Sequence, residues 1–214
     1  MMLHNGGGGD GPLIYQQRAT GTIHVSVVGD PGVGKASLIF AYAIDTNPDP
    51  TIPSEFDEFF LNINVDKKLV GLKISNISDM EDIEYLRYNE YNTRNVFIVC
   101  FSIACPETFT NARDTWIPEI QDHFPGAPIV LVGMKSDLRA SIITQKHLQV
   151  LGQSPVSKKK AQRAALRFGN VKYVDCSVSN ADDVRAVFEK AARAVLEPAK
   201  IGDAICARPI CKMM

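Results

Sequence analysis

Gly29-Asp30-Pro31-Gly32-Val33-Gly34-Lys35-Ala36-Ser37 is the stretch that decides how this chain folds. Ahead of it, the run Ile23 to Val28 reads as a strand, and behind it Leu38-Ile39-Phe40-Ala41-Tyr42 reads as a helix. Strand, loop and helix in that order are the setting of a phosphate-binding loop. Gly29, Gly34 and Lys35 fit the spacing G-x-x-x-x-G-K, in which backbone amides and a helix N-terminus surround phosphate and the lysine adds a point charge. The pattern continues with Ser or Thr, whose hydroxyl is a Mg²⁺ ligand, but this chain has Ala36. Ser37 is no substitute, because one helical step rotates a side chain by about 100°. The expected phosphate contacts are therefore Gly32, Val33, Gly34, Lys35, Ala36 and Ser37, with the metal poorly held. The competing reading is a glycine-rich turn with a stray lysine.

Outward from the loop, three prolines (Pro48, Pro50, Pro53) exclude regular structure between residues 47 and 56. Two strand-like runs, 59–65 and 69–75, flank Asp66-Lys67-Lys68 and predict an antiparallel hairpin. A short helix near residues 83–91 and a buried strand at 96–101 come next. Pro106 opens a helix predicted to reach about Phe124, with a kink at Pro118. Ile129 to Gly133 is a further buried strand. Residues 139–156 read as an insert with a helix near 143–151, and 157–167 as a basic helix. A strand at 172–176 leads to a last helix with an apolar stripe of Val184, Val187, Phe188, Ala191, Val195 and Leu196. This alternation predicts an α/β fold. Its six-stranded, mostly parallel sheet has the order 2-3-1-4-5-6, one antiparallel edge strand and helices on both faces.

Composition narrows the function classes. A formal net charge of -1 argues against nucleic-acid binding by bulk electrostatics. Five cysteines without a C-x-x-C pair suit a reduced, cytoplasmic protein with no metal site of its own. No signal peptide or 18-residue apolar run is present in the sequence. Residues 1–20 are expected to form a disordered glycine-rich arm, 21–197 the folded domain, and 198–214 a flexible tail. The four histidines have no ligand spacing, and His24 reads as a strand residue.

The phosphate loop, the proline-rich loop, the hairpin and Lys135-Ser136-Asp137-Leu138 together resemble a small GTPase of the Rho type, over roughly residues 20–196. Pro53-Ser54-Glu55-Phe56, Cys100-Phe101-Ser102-Ile103, Trp116-Ile117-Pro118-Glu119-Ile120 and Pro128 to Gly133 carry the likeness, as does the position of the insert. The resemblance implies GTP or GDP as ligand. It gives Lys135, Asp137 and Leu138 to the guanine pocket, together with Ser177 and the amide of Val178. Ser54 stands where the family has a Mg²⁺-binding threonine. The departures fall on the metal and on catalysis. Pro31 replaces a glycine, Asn47 a base-stacking aromatic and Met134 an asparagine. In the second switch, Asn76-Ile77-Ser78-Asp79-Met80 stands for Asp-x-x-Gly-Gln. Asn76 loses the carboxylate that steadies the metal's water, Asp79 brings negative charge towards phosphate, and Met80 cannot align the attacking water. No catalytic residue is therefore assigned.

Two readings stay open at this stage. One is a pseudo-GTPase that binds effectors or regulators of Rho signalling without cycling, and the other a slow but cycling Rho-family switch. The basic helix is either a solvated face or a seat for an acidic partner or anionic lipid headgroup. The C-terminal Cys211-Lys212-Met213-Met214 has the length of a prenylation signal, with Cys206 a candidate second acylation site. If that signal is used, fractionated cells will hold the chain on membranes and Cys211→Ser will release it. Equal membrane fractions for both proteins would remove the lipid reading.

Overall fold

The computed structural model describes residues 21–46, 58–77 and 95–196. Its elements in order are β1 (Thr22–Val28), α1 (Lys35–Thr46), β2 (Glu58–Val65), β3 (Lys68–Asn76), β4 (Asn95–Ser102), α2 (106–123) and β5 (Ile129–Met134). A 3-10 turn (Ser136–Ala140), α3 (Ile142–Val150), α4 (Lys158–Arg167), β6 (Val171–Cys176) and α5 (Ala181–Leu196) follow. Strand order is β2-β3-β1-β4-β5-β6, and β2 alone runs against its neighbour. The predicted sheet is the observed one. The glycine-rich arm, Asn47, Ser54, Asp79, Met80, the helix expected near 83–91, Cys206 and Cys211 lie outside the described residues.

The central strand β1 explains the layering. Alternate residues of a strand point to opposite faces. Val25 and Val27 pack with Leu38, Ile39 and Tyr42 of α1 and Val184, Val187 and Phe188 of α5 on one side of the sheet. Val28 packs with Phe109, Ala112 and Ile117 of α2 and Ala161 of α4 on the other. Tyr42 stacks on Phe188 with ring centroids 4.0 Å apart, joining α1 to α5. The hairpin closes on two residues, Asp66 and Lys67, with φ of 49° and 65°. Positive φ at both positions is the turn whose twist matches that of paired strands, so Lys68 already belongs to β3.

Two helices depart from the sequence reading. In α2 the expected kink at Pro118 is instead a π turn, Ala112–Trp116, set between α segments Pro106–Asn111 and Ile117–His123. Pro118 has no N–H to return to the preceding turn. The ladder shifts by one residue before it, and the Ile117 amide donates to the carbonyl of Ala112. In α5 the apolar stripe ends one residue early. Leu196 is exposed, while Ala192 and Ala194 are buried. At about 100° per residue, position 196 has drifted off the face that carries Val184 and Phe188.

Gly29 sits where β1 meets the loop, with φ of 133°, and a Cβ there would stand 2.2 Å from the carbonyl oxygen of Cys100 on β4. Only glycine fits both that conformation and that distance. Gly29→Ala is therefore expected to cost at least about 3 kcal/mol, read as a lower urea midpoint at unchanged m-value. An unchanged midpoint would contradict the close approach.

Candidate functional site

The loop 29–34 leaves the carboxyl end of β1 and delivers the chain into α1 at Lys35. Gly32 and Gly34 adopt φ of 75° and 111°, which turns the backbone back on itself before the helix starts. The helix is under way by Leu38, whose amide donates to the Gly34 carbonyl at 2.9 Å. A helix start leaves its first amides without intrahelical partners, and this one opens beside the loop. Lys35 is buried, and its ammonium arches back to donate to the carbonyls of Gly29 and Asp30, the latter at 3.1 Å. That places a positive charge over the loop.

Asp30 pins the loop to α2. Its Oδ2 accepts from Asn111 Nδ2 at 2.7 Å and its Oδ1 from Trp116 Nε1 at 2.8 Å. Residues five apart on an α-helix diverge by about 140°. A π turn closes from i to i+5 and brings such residues onto one face. The π turn ahead of Pro118 is therefore what lets Asn111 and Trp116 grip one carboxylate. Sequence reasoning missed this contact. Its signal is the five-residue spacing of Asn111 and Trp116 beside a helix-internal proline.

The second half of the site comes from the ends of β5 and β6. Lys135, in the left-handed conformation at φ 57°, donates from Nζ to the Gly32 carbonyl at 2.9 Å. The Met134 Cε lies 3.4 Å from where a Cβ on Gly34 would stand, so Met134 packs apolar bulk behind the loop. Asp137 is exposed, and its Oδ1 accepts from Ser177 Oγ at 2.7 Å, while its Oδ2 carries no hydrogen bond among the described residues. The Leu138 amide closes the turn on the Lys135 carbonyl at 3.0 Å. The Ser177 amide donates to Asp183 Oδ2 at 3.1 Å at the start of α5, and Val178 next to it is exposed. Of the residues singled out in the sequence, Gly32, Gly34, Lys35, Met134, Lys135, Asp137 and Ser177 are thus tied into one edge of the sheet.

Beneath this edge lies a cluster that no motif announced. Arg139 grips both carboxylate oxygens of Asp175, with Nη1 to Oδ2 at 3.1 Å, and donates from Nε to the Val156 carbonyl at 3.1 Å. The Tyr173 hydroxyl also donates to Asp175, and a Cβ on Gly133 would stand 2.6 Å from that hydroxyl. Burial, with Asp175 adding to it, pushes the Tyr173 phenol up. Burial alone would raise the Asp175 carboxyl, but Arg139 and Tyr173 outweigh it and hold it below its ordinary value. This cluster ties the 3-10 turn carrying Asp137 to β6. Cys100 and Cys176 are buried, and burial pushes both thiols up to about 12, so neither is a thiolate at neutral pH.

Ala36 is exposed and has no oxygen on its side chain. No group of three or more His, Cys, Asp or Glu side chains is arranged to hold an ion among the described residues. Asn76 ends β3 beside Val27 of β1, and its Oδ1 is buried with no hydrogen-bond partner among the described residues. A neutral amide oxygen is a weaker partner for a hydrated dication than a carboxylate. By contrast the loop, Lys35 and Asp137 offer donors, positive charge and an acceptor suited to a guanine nucleotide.

A family model described as the Ras family matches residues 24–197 of the chain. The chain belongs to the Ras family of small GTPases, and its sheet order and phosphate loop are those of that fold.

Because the folded Asp175 carboxyl is held below its unfolded value, its stabilisation is full above the ordinary aspartate range, about pH 4, and is lost as pH falls through the folded value. Asp175→Asn should therefore cost about 2 kcal/mol at neutral pH, with the deficit shrinking below about pH 4. Chemical denaturation across pH measures this, and a pH-independent deficit would contradict it.

Proposed function

We propose that the chain is a Rho-like Ras-family protein that binds guanine nucleotide with weakened affinity, does not turn GTP over, and acts by engaging effectors or regulators of Rho signalling. One observation carries the reading. At the position where the resemblance requires a carboxylate for the metal's water shell, Asn76 offers a neutral amide whose Oδ1 is buried and has no hydrogen-bond partner among the described residues. Ala36 removes a second metal-supporting group. Phosphoryl transfer depends on positioning and charge stabilisation, so each loss multiplies the others. Met80, in the place of the family's glutamine, removes the alignment of water as well.

Binding is a separate matter from turnover. Lys35 and the helix start favour phosphate, and Asp137 presents an open carboxylate oxygen to a guanine ring's N–H groups. Ser54 is the remaining side-chain candidate for Mg²⁺. The insert, the switch sequence around Ser54 and the third-helix motif around Trp116 favour the Rho branch. The hold of Asn111 and Trp116 on Asp30 favours a phosphate loop kept in one arrangement, as a binding module needs. Membrane attachment would come through Cys211, with Cys206 as a second anchor.

In a single-turnover assay with radiolabelled GTP, the unmodified chain should release no phosphate at a rate typical of small GTPases. Ala36→Thr should restore part of the Mg²⁺ dependence of binding and no turnover. Turnover should require Asn76→Asp, Asp79→Gly and Met80→Gln as well. Phosphate release by the unmodified chain at an ordinary rate would return it to the cycling switches.

A further inference from the structure

Charge is divided unevenly along this chain. Residues 138–174 contain eight Lys and Arg and no Asp or Glu, so the other residues of a chain with net charge -1 carry -9. Five of those eight cations lie on α4: Lys158, Lys159, Lys160, Arg163 and Arg167. Three lysines fill its first turn with no acidic residue, where the positive end of the helix dipole disfavours them. The fold gains little from this placement. Lys158 lies 3.8 Å from Asp175, and Lys160 lies 5.4 Å from the centre of the Phe109 ring. Lys159, Arg163 and Arg167 are exposed and have no carboxylate partner among the described residues.

The buried side of α4 is Ala161, Ala164 and Ala165, so its outward side is the stripe Lys159, Arg163 and Leu166, flanked by Arg167. Leu166 is 78% exposed in the middle of these cations. The preceding helix and turn add Ile142, Ile143, Val150 and Leu151, each more than half exposed, with Lys146 and no carboxylate. The two elements share an anchor, since Arg139 before α3 and Lys158 at the start of α4 both reach Asp175.

We propose that the outward face of α4 seats this protein on an anionic lipid bilayer, with Lys159, Arg163 and Arg167 on the headgroups and Leu166 entering the interface. Charge complementarity selects an anionic partner, and aliphatic side chains among flexible cations select a lipid surface over an acidic protein or a nucleic acid. Long cationic side chains lay their stems along the apolar boundary while their charges stay at the headgroups. A single-stranded nucleic-acid surface would instead show exposed aromatic rings for stacking, and α4 has none. The seat does not require modification of Cys211.

Full-length protein made in bacteria, and so lacking any lipid, tests this by vesicle sedimentation. It should sediment with phosphatidylcholine vesicles containing phosphatidylserine and not with phosphatidylcholine alone. Raising the salt from about 0.1 M to about 0.5 M should release it. Replacing the three cations together (Lys159→Ala, Arg163→Ala, Arg167→Ala) should weaken binding roughly 100-fold. Leu166→Ser alone, a milder surface change, should weaken it roughly 10-fold with the circular dichroism spectrum unchanged. Absence of binding to the anionic vesicles, equal binding to both vesicle types, or wild-type binding by the triple variant would overturn the proposal. Binding to polyglutamate without binding to vesicles would overturn it in favour of an acidic protein partner.

Discussion

The approach of Gly29 to the Cys100 carbonyl is the constraint on which the site rests. A strand this close to its neighbour cannot carry a side chain at that point, so a glycine follows β1 and the chain turns out of the sheet there. Everything that handles phosphate follows from that exit. Lys35 closes the loop from inside by donating to the carbonyls of Gly29 and Asp30. Asn111 and Trp116 hold it from α2, and Lys135 ties its tip to the end of β5. The loop is thus held from three directions by the protein's own side chains.

The same architecture separates what the chain keeps from what it has given up. Lys35 and Asp137, proposed to face phosphate and base, are anchored by the fold itself, since Lys35 bonds the loop and Asp137 bonds Ser177. The departures from the family pattern fall at Ala36 and Asn76. Ala36 has no side-chain oxygen, and the Asn76 Oδ1 at the end of β3 is buried without a hydrogen-bond partner among the described residues. A buried unpaired acceptor costs about 1–3 kcal/mol.

The sheet was legible in the sequence because its signals are local. Val96 to Phe101 and Ile129 to Gly133 read as buried strands from continuous apolar runs, and Asp66-Lys67-Lys68 reads as a hairpin connection from its position between two strand-like runs, one residue longer than the observed turn. The phosphate loop was legible for the same reason. The Asp30 clamp was not, since it depends on a π turn that only the backbone reveals. Arg139, Tyr173 and Asp175 were likewise invisible, because residues 36 apart in sequence meet only once β6 is paired with β5. The exposure of Leu196 was lost to helical drift over 12 residues, a small angular error per turn that accumulates along α5. The uneven charge of residues 138–174 stood in the sequence, hidden by a net charge near zero.

The proposed pseudo-GTPase keeps a guanine nucleotide on this loop while Ala36, Asn76 and Met80 stand at the family's metal and water positions. Denaturing the purified protein and resolving the released small molecules by ion exchange tests this. GDP or GTP below one equivalent is expected, with no adenine nucleotide. Adenine nucleotide, or no nucleotide together with no binding of added GTP, would contradict it.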